Sequence, residues 1–163
     1  MGCCVGCSGG AADKNAGGEM KGQSALHSSA SDDWLTPPEL FERLDRKWRF
    51  TLDPCACDGH VLDDAMKSCT RADDGLSLDW SGWSVYCNPP YSNIAAWVEK
   101  AASHRDNALI VMLIPARTDT RYWHKHIEGK ALKVEFLPGR LKFGRPDGSK
   151  SQSAPFPSCL VYF

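Results

Sequence analysis

Residues 84–114 read SVYCNPPYSNIAAWVEKAASHRDNALIVMLI, and this stretch decides the fold. The apolar run at 84–87 predicts a strand, which two consecutive prolines end because proline lacks a backbone donor. Apolar residues then recur at helical spacing over residues 94–102, and residues 108–114 form a continuous apolar run, as a strand buried on both faces does. Strand, helix and strand in this order predict an α/β sheet.

The segment upstream of this stretch predicts a helix and a short strand. Thr36 is placed to cap the helix, with Pro37 at the first helical position and Glu39 completing a capping box. Residues 50–53 predict a strand that ends at a proline, and the polar connection after it predicts one helical turn near residues 61–68.

The segment downstream predicts several short elements. A short helix is expected over residues 120–127, followed by strands at 131–137 and 140–143 that flank a Pro-Gly turn, and by a last strand at 159–163. Because these strands follow one another closely, we expect antiparallel strands at the C-terminal end of the sheet.

The composition divides the chain into two parts. Residues 1–31 contain seven Gly, five Ser and five Ala and no Trp, Phe, Tyr or Ile, whereas all 16 aromatic residues lie in residues 32–163. A stretch so poor in large apolar side chains cannot offset the entropy of ordering its backbone. We therefore expect a disordered tail over residues 1–31 and a single domain over residues 32–163.

Charge is also unevenly distributed. Residues 32–114 hold eight Lys and Arg against fourteen Asp and Glu, a net charge of −6, whereas residues 115–163 hold nine against four, a net charge of +5. The overall net charge of −1 excludes a uniformly basic nucleic-acid coat, so an anionic partner is expected to meet the C-terminal part. No apolar run is long enough to span a membrane and no secretory signal pattern is present, so a cytoplasmic location is expected.

Eight cysteines are present, without the pattern of a zinc site. Cys4 and Cys7 have CxxC spacing in the tail, but no second CxxC follows to complete four ligands. The cysteines at 87 and 159 lie in apolar runs, where a buried thiol is the usual outcome. We therefore expect no structural metal, and a metal-binding protein built on the tail stays an alternative.

The tetrapeptide Asn88-Pro89-Pro90-Tyr91 follows a strand and precedes a helix, which places it where open α/β folds bind ligands. The exocyclic amine of a nucleobase is a poor nucleophile because its lone pair is delocalised into the ring. The Asn88 side-chain oxygen and the Pro89 carbonyl are suited to accept both amine hydrogens, which localises that lone pair on nitrogen. The Tyr91 ring offers a stacking surface for a base taken out of the helix.

Together with other short motifs, this tetrapeptide resembles the phage-type, Dam-like DNA adenine-N6 methyltransferases over residues 33–163. The matching stretches are Trp34-Leu35-Thr36-Pro37, Leu52-Asp53-Pro54-Cys55-Ala56, Asp74-Gly75-Leu76 with Asp79-Trp80, Asn88-Pro89-Pro90-Tyr91, Leu113-Ile114-Pro115-Ala116-Arg117-Thr118-Asp119-Thr120, Gly139-Arg140-Leu141-Lys142-Phe143, and Ala154-Pro155-Phe156-Pro157-Ser158. The resemblance implies a Rossmann-like methyltransferase sheet that binds S-adenosylmethionine at its strand ends.

The resemblance also implies roles for individual residues. The carboxylate of Asp53 would pair with the α-ammonium group of the methyl donor, beside the small-residue turn of Pro54, Cys55 and Ala56. The implied further cofactor contacts are Trp34, Thr36, Pro37, Asp79 (for the adenine amine) and Trp80 (as a stacking surface). An acidic residue for the ribose hydroxyls is expected after the second strand, with no ranking among Asp58, Asp63, Asp64, Asp73 and Asp74.

The function implied is methyl transfer from S-adenosylmethionine to the N6 amine of a flipped adenine in DNA. Phosphate contacts are expected from the basic C-terminal part, at Arg117, Arg121, Lys142, Arg145 and Lys150. Cytosine-N4, RNA adenine and protein glutamine methylation fit the same tetrapeptide, and a non-catalytic nucleic-acid-binding module is an alternative of another class. Site choice would come from loops such as residues 145–153 or from a second subunit in a homodimer.

Overall fold

The computed structural model describes residues 34–58, 60–146, 148 and 152–163. The predicted tail at residues 1–31, with its cysteines, and Lys150 lie outside the described residues. None of the helices within the described ranges is long and apolar enough to cross a membrane. The elements are α1 (Pro38–Trp48), β1 (Leu52–Asp53), β2 (Lys67–Ser68), β3 (Ser84–Cys87), α2 (Ile94–Ser103), β4 (Leu109–Pro115), α3 (Arg121–His126), β5 (Lys133–Phe136), β6 (Lys142–Phe143), β7 (Gln152–Ser153) and β8 (Ser158–Tyr162), with two short 3-10 helices at Arg71–Asp73 and Tyr91–Asn93.

Six strands form one mixed sheet in the order β2-β1-β3-β4-β8-β5. The first four strands in this order are parallel, and β8 runs antiparallel to both β4 and β5. The predicted α/β sheet with antiparallel strands at its C-terminal end is confirmed. The remaining two strands, β6 and β7, pair antiparallel as a separate ribbon.

Apolar side chains cover both faces of this sheet. Along β4, Ile110, Met112 and Ile114 pack with α2 and α3, whereas Val111 and Leu113 pack with α1. All five of these side chains are fully buried, which explains why the strand reads as a continuous apolar run. The helices therefore lie on both faces, and the loops at the two edges of the sheet are left to carry function.

The first helix begins two residues after Thr36. Pro37 occupies the N-cap position of α1, and Thr36 instead shares a buried 2.9 Å hydrogen bond with the Tyr86 hydroxyl. The prediction that Thr36 caps the helix is therefore wrong, because a hydroxyl partner inside the fold outcompetes the exposed cap. Asn93 stands at the N-cap of α2, but its side chain makes no capping hydrogen bond.

Two further expectations differ from the structure. The segment 61–68 forms no helix: a 3.1 Å hydrogen bond from the Met66 N–H to the Asp63 carbonyl closes an isolated turn, and the last two residues form β2, which pairs parallel with β1. The strands that flank Pro138-Gly139 do not pair with each other, because β5 adds to the fully buried strand β8 while β6 pairs with β7. The sequence indicated the turn at Pro138-Gly139, but it did not show which strands pair, because the partners of β5 and β6 depend on burial in the folded protein.

Candidate active site

The order of the parallel strands reverses between β1 and β3. After β1 the chain crosses to β2 on one side, and after β3 it crosses to β4 on the other side. Open α/β sheets bind ligands in the crevice that opens at the carboxyl ends of the strands at such a switch point. The turns after β1, β3 and β4 lie at this edge, together with the segment before β8, which pairs antiparallel with the end of β4.

Asp53 ends β1 at this switch point and is a buried carboxyl group. The residue is 4% exposed, and its Oδ1 accepts a 3.1 Å hydrogen bond from the Cys55 backbone N–H. Burial raises the pKa of Asp53 from 3.8 to about 7, although the hydrogen bond from Cys55 acts in the opposite direction. Desolvation favours the neutral form of this carboxyl, and a bound cation would restore its charge.

Asn88 follows β3, the strand next to β1, and its side chain is held at both ends. Its Nδ2 donates to the Trp34 carbonyl and, over 3.2 Å, to the Thr36 hydroxyl. Its Oδ1 accepts a 3.3 Å hydrogen bond from the Tyr91 hydroxyl. These contacts orient the amide so that its donor atoms are used within the protein and its oxygen lies on the Tyr91 side.

Four aromatic side chains form a cluster next to Asn88: Trp34, Tyr91, Phe143 and Phe156. The rings of Trp34 and Tyr91 are nearly parallel, with centroids 6.2 Å apart, and the Phe156 ring meets both of them edge-on. An antiparallel bridge between Leu35 and Gly144 brings Trp34 beside the β6–β7 ribbon. Phe156 was part of the matched motif but had no assigned role, because nothing local in the sequence shows that it meets Tyr91.

Two arginines approach this aromatic cluster. The Arg145 guanidinium carbon lies 4.4 Å from the centroid of the Trp34 ring, and that of Arg117 lies 6.0 Å from the Phe156 ring. Both residues were predicted as nucleic-acid contacts. The structure brings them together at the same edge as Asn88, while the likewise predicted Arg121 and Lys142 are exposed on α3 and β6.

Asp79 and Trp80 do not lie at this edge. Asp79 precedes the amino end of β3, where its Oδ1 accepts hydrogen bonds from Ser81 and lies 3.3 Å from His104 Nε2. Trp80 is fully buried, stacks on Trp97 and donates its indole N–H to the Gly75 carbonyl. The expectation that Trp80 offers a stacking surface to the cofactor is wrong, because the core covers its ring.

A different acidic segment reaches the candidate site. A Cβ added to Gly75 would lie only 1.8 Å from the Pro54 carbonyl oxygen, so only glycine permits this contact with the turn after β1. Asp74, directly before it, is exposed and has a left-handed backbone with φ 45°. Asp73 instead accepts two hydrogen bonds from Thr70. Asp74 was one of the unranked candidates for binding the ribose hydroxyls. The feature of the sequence that could have selected it is Gly75, the glycine that follows it.

Comparison with known proteins identifies the family. A family model described as DNA N-6-adenine-methyltransferase (Dam) matches residues 23–163. The chain belongs to the Dam family. The chain is also similar to a DNA N-6-adenine-methyltransferase of Haemophilus phage HP1, with 27% identity over 149 residues, which cover 88% of this chain and 85% of the phage protein. This Dam family member is therefore an enzyme, an adenine-specific DNA methyltransferase of the phage type.

Proposed function

We propose that S-adenosylmethionine is the methyl donor and that it binds at the switch point between β1 and β3. The observation that carries this proposal is the position of Asp53 and Asn88 at the carboxyl ends of neighbouring parallel strands. The donor carries a methyl group on a cationic sulfur and an α-ammonium group. The buried carboxyl of Asp53, with its pKa near 7, is a suitable partner for that ammonium.

We further propose that the sheet is a Rossmann-like methyltransferase sheet. Its parallel part has the order β2-β1-β3-β4, in which the direction of winding reverses once, as it does in doubly wound folds. The turn of Pro54, Cys55 and Ala56 takes the place of a glycine-rich loop, and the close approach of Gly75 to Pro54 packs a second loop against it.

For the nucleoside part of the donor, we propose Asp74 in place of Asp79. Asp74 follows the segment after β2 and lies beside the turn after β1, at the carboxyl edge of the sheet. Asp79 is at the amino edge, where Ser81 and His104 engage its carboxylate. The hydrogen bonds from Ser81 lower the pKa of Asp79, which is consistent with a structural role.

The target adenine is proposed to leave the DNA helix and enter beside Asn88. The Asn88 Oδ1 and the Pro89 carbonyl then accept the two hydrogens of the N6 amine, which directs its lone pair toward the methyl group. Because Nδ2 is already bonded to Trp34 and Thr36, the amide is oriented before the base arrives. Preorganised acceptors of this kind are a main source of catalysis because they do not have to reorganise during the reaction.

Tyr91 tests the stacking part of this proposal. Tyr91→Phe retains the ring and removes the hydroxyl that donates the 3.3 Å hydrogen bond to Asn88, so we expect the methylation rate to fall less than about tenfold. Tyr91→Ala removes a stacking surface worth about 1–3 kcal/mol, so we expect a fall of roughly 10- to 100-fold. Transfer of a labelled methyl group to DNA measures both rates. Equal losses in the two folded variants would show that the hydroxyl, not the ring, matters.

Arg117, Arg121, Lys142 and Arg145 are proposed to contact DNA phosphates. Lys142→Glu is expected to weaken binding to all DNA sequences alike and to reduce the slope of log affinity against log salt by about one unit. Arg105→Glu, at the amino edge beside Asp106, is the matched control and should leave the slope unchanged. A salt titration of DNA binding measures the slopes, and an equal loss in both variants would rule out a specific footprint.

We propose that residues 32–163 carry the whole activity. The family match extends from residue 23 to residue 163, so it includes all of this segment and also residues 23–31. Deleting residues 1–31, which carry no net charge, should leave the salt slope and the methylation rate nearly unchanged. Loss of DNA binding on truncation, with no effect of charge reversal at Lys142, would place the nucleic-acid contacts in the deleted segment.

Long-read sequencing of DNA from cells that express the chain tests the reaction as a whole. We expect N6-methylated adenines that all lie within one short recognition sequence. The enzyme is proposed to act in the cytoplasm of the host cell, where phage DNA is copied. Modified cytosines, or no modification with intact donor binding, would contradict the proposal. The motif obtained also bears on whether one chain or a homodimer reads the site, because a symmetric motif is expected from a two-fold dimer.

A further inference from the structure

Two thiols meet at the edge of the sheet where Asp53 and Asn88 lie. Cys55 Sγ and Cys87 Sγ are 3.4 Å apart. Cys55 lies just beyond β1 and is half-buried, whereas Cys87 is the last residue of β3 and is fully buried. An S–S bond is about 2.05 Å long, so a small movement of the turn that carries Cys55 would bring the two sulfurs to bonding distance.

We propose that Cys55 and Cys87 form an oxidative modification site, at which a low-molecular-weight disulfide converts the two thiols into a disulfide and reversibly stops methyl transfer. The consequence for activity rests on the proposed function, in which Asp53 and Asn88 bind the donor and the target amine. The formation of the bond itself does not depend on that assignment.

The reaction is a pair of thiol–disulfide exchanges. The Cys55 thiolate attacks one sulfur of the small disulfide, forms a mixed disulfide and releases the other half as a thiolate. The Cys87 thiolate then attacks Cys55 Sγ, forms the Cys55–Cys87 bond and releases the second half. The two protein thiols lose two protons and two electrons, and the small disulfide is reduced to two thiols. Cys55 is the first to react because Cys87 is fully buried.

Bond formation would displace the two groups on which catalysis depends. The Cys55 backbone N–H donates to Asp53 Oδ1, and Asn88 directly follows Cys87. The Asn88 backbone N–H also hydrogen bonds to the Cys55 thiol. An S–S bond is about 2.05 Å long, so the sulfurs must approach by roughly 1.3 Å, and a misplacement of about 1 Å can cost roughly 10²-fold in rate.

The same burial makes the reaction slow at neutral pH. Burial raises the pKa of both the Cys55 and the Cys87 thiols above the ordinary value, and the thiolate is the reactive form. We therefore expect the rate of disulfide formation to keep rising between pH 7 and pH 9. The rate for an exposed thiol of ordinary pKa would rise less steeply over the same range.

The test treats the full chain with oxidised glutathione at pH 7 and at pH 9. Remaining thiols are alkylated, the protein is digested, and mass spectrometry looks for the peptide pair linked through Cys55 and Cys87. Methylation of DNA is measured before treatment, after treatment and after reduction with dithiothreitol. We expect the linked pair, a loss of rate of about 10²-fold, and full recovery on reduction.

Each variant is compared with its own untreated rate, so a change in basal activity does not matter. Cys87→Ala and Cys87→Ser should prevent the loss, whereas Cys57→Ser and a chain with Cys3, Cys4 and Cys7 all replaced by serine should keep it. If neither Cys87 variant folds, the inference is tested in the unmodified chain by the linked peptide pair and by the recovery of the methylation rate on reduction. Absence of the linked pair, or a linked pair with unchanged rate, would overturn the inference.

These outcomes are separate from a failure of the proposed donor site. If Asp53 proves unimportant for donor binding while the linked pair still forms and stops methylation, the assignment of Asp53 fails and the modification site stands. If Asp53 and Asn88 behave as proposed but the oxidised chain remains fully active, the modification site fails and the proposed function stands.

Discussion

Replacing Asn88 with alanine is expected to lower the rate of adenine methylation by about 10²-fold or more while changing donor affinity little. The variant removes the proposed acceptor for the target amine and also the hydrogen bonds to Trp34 and Thr36. Single-turnover transfer of a labelled methyl group measures the rate, and calorimetry measures donor binding. Near-normal methylation by the folded variant would remove Asn88 from the catalytic group.

Asn88→Asp is the informative companion to this variant. It retains an oxygen for the amine but replaces the Nδ2 donor with a second acceptor facing the Trp34 carbonyl. We expect an activity between those of the original chain and the alanine variant. If aspartate were as damaging as alanine, orientation by Trp34 and Thr36 would matter more than the acceptor oxygen.

Replacing Asp53 with asparagine is expected to weaken S-adenosylmethionine binding by about 10²-fold or more, because one member of the proposed buried charge pair is removed. Asparagine is close to aspartate in shape and can still accept the hydrogen bond from the Cys55 N–H. Titration calorimetry measures the dissociation constant, with the melting temperature as a check on folding. An unchanged constant would place the donor elsewhere.

The raised pKa of Asp53 predicts two opposite effects of pH. In the protein without donor, a carboxyl whose pKa rises from 3.8 to about 7 stabilises the fold when protonated, and this contribution is lost as pH rises through about 7. Its upper limit is on the order of 4 kcal/mol. Asp53→Asn should therefore lose less stability than the original chain between pH 5 and pH 8.

Donor affinity should change in the other direction. Pairing with the α-ammonium requires the carboxylate, so affinity should fall as pH drops below about 7, and binding at pH 6 should release a proton. Calorimetry in buffers of different ionisation enthalpy measures that proton. Donor affinity independent of pH from 5.5 to 8 would show that Asp53 is not the partner.

Much of the fold could be predicted from local patterns. The continuous apolar run of β4 and the apolar spacing of α2 each reflect burial that is expressed in neighbouring residues, and both elements are present. Strand β2 was missed because it has only two residues, neither of them buried, and is a strand solely because β1 pairs with it. A strand of two residues is too short to show a periodic pattern of apolar side chains in the sequence.

The candidate site likewise has a part that local sequence predicts and a part that depends on contacts between distant residues. Asp53 and Asn88 could be predicted to lie at one edge of the sheet because Asp53 ends a strand, Asn88 follows one, and the carboxyl ends of parallel strands lie at one edge. The contacts of Thr36 with Tyr86 and of Phe156 with Tyr91 join residues 50 and 65 positions apart, which no local pattern reveals. Nor does the sequence show that Asp79 lies at the amino edge of the sheet, because the chain between Gly75 and Ser84 runs from one edge to the other.

A crystal structure of the chain with S-adenosylhomocysteine would test the central claim most directly. The account predicts the product at the carboxyl ends of β1 and β3, with its amino group within about 3 Å of Asp53, its sulfur facing Asn88 and its nucleoside beside Asp74. Binding at the amino edge of the sheet beside Asp79, with Asp53 making no contact, would contradict it.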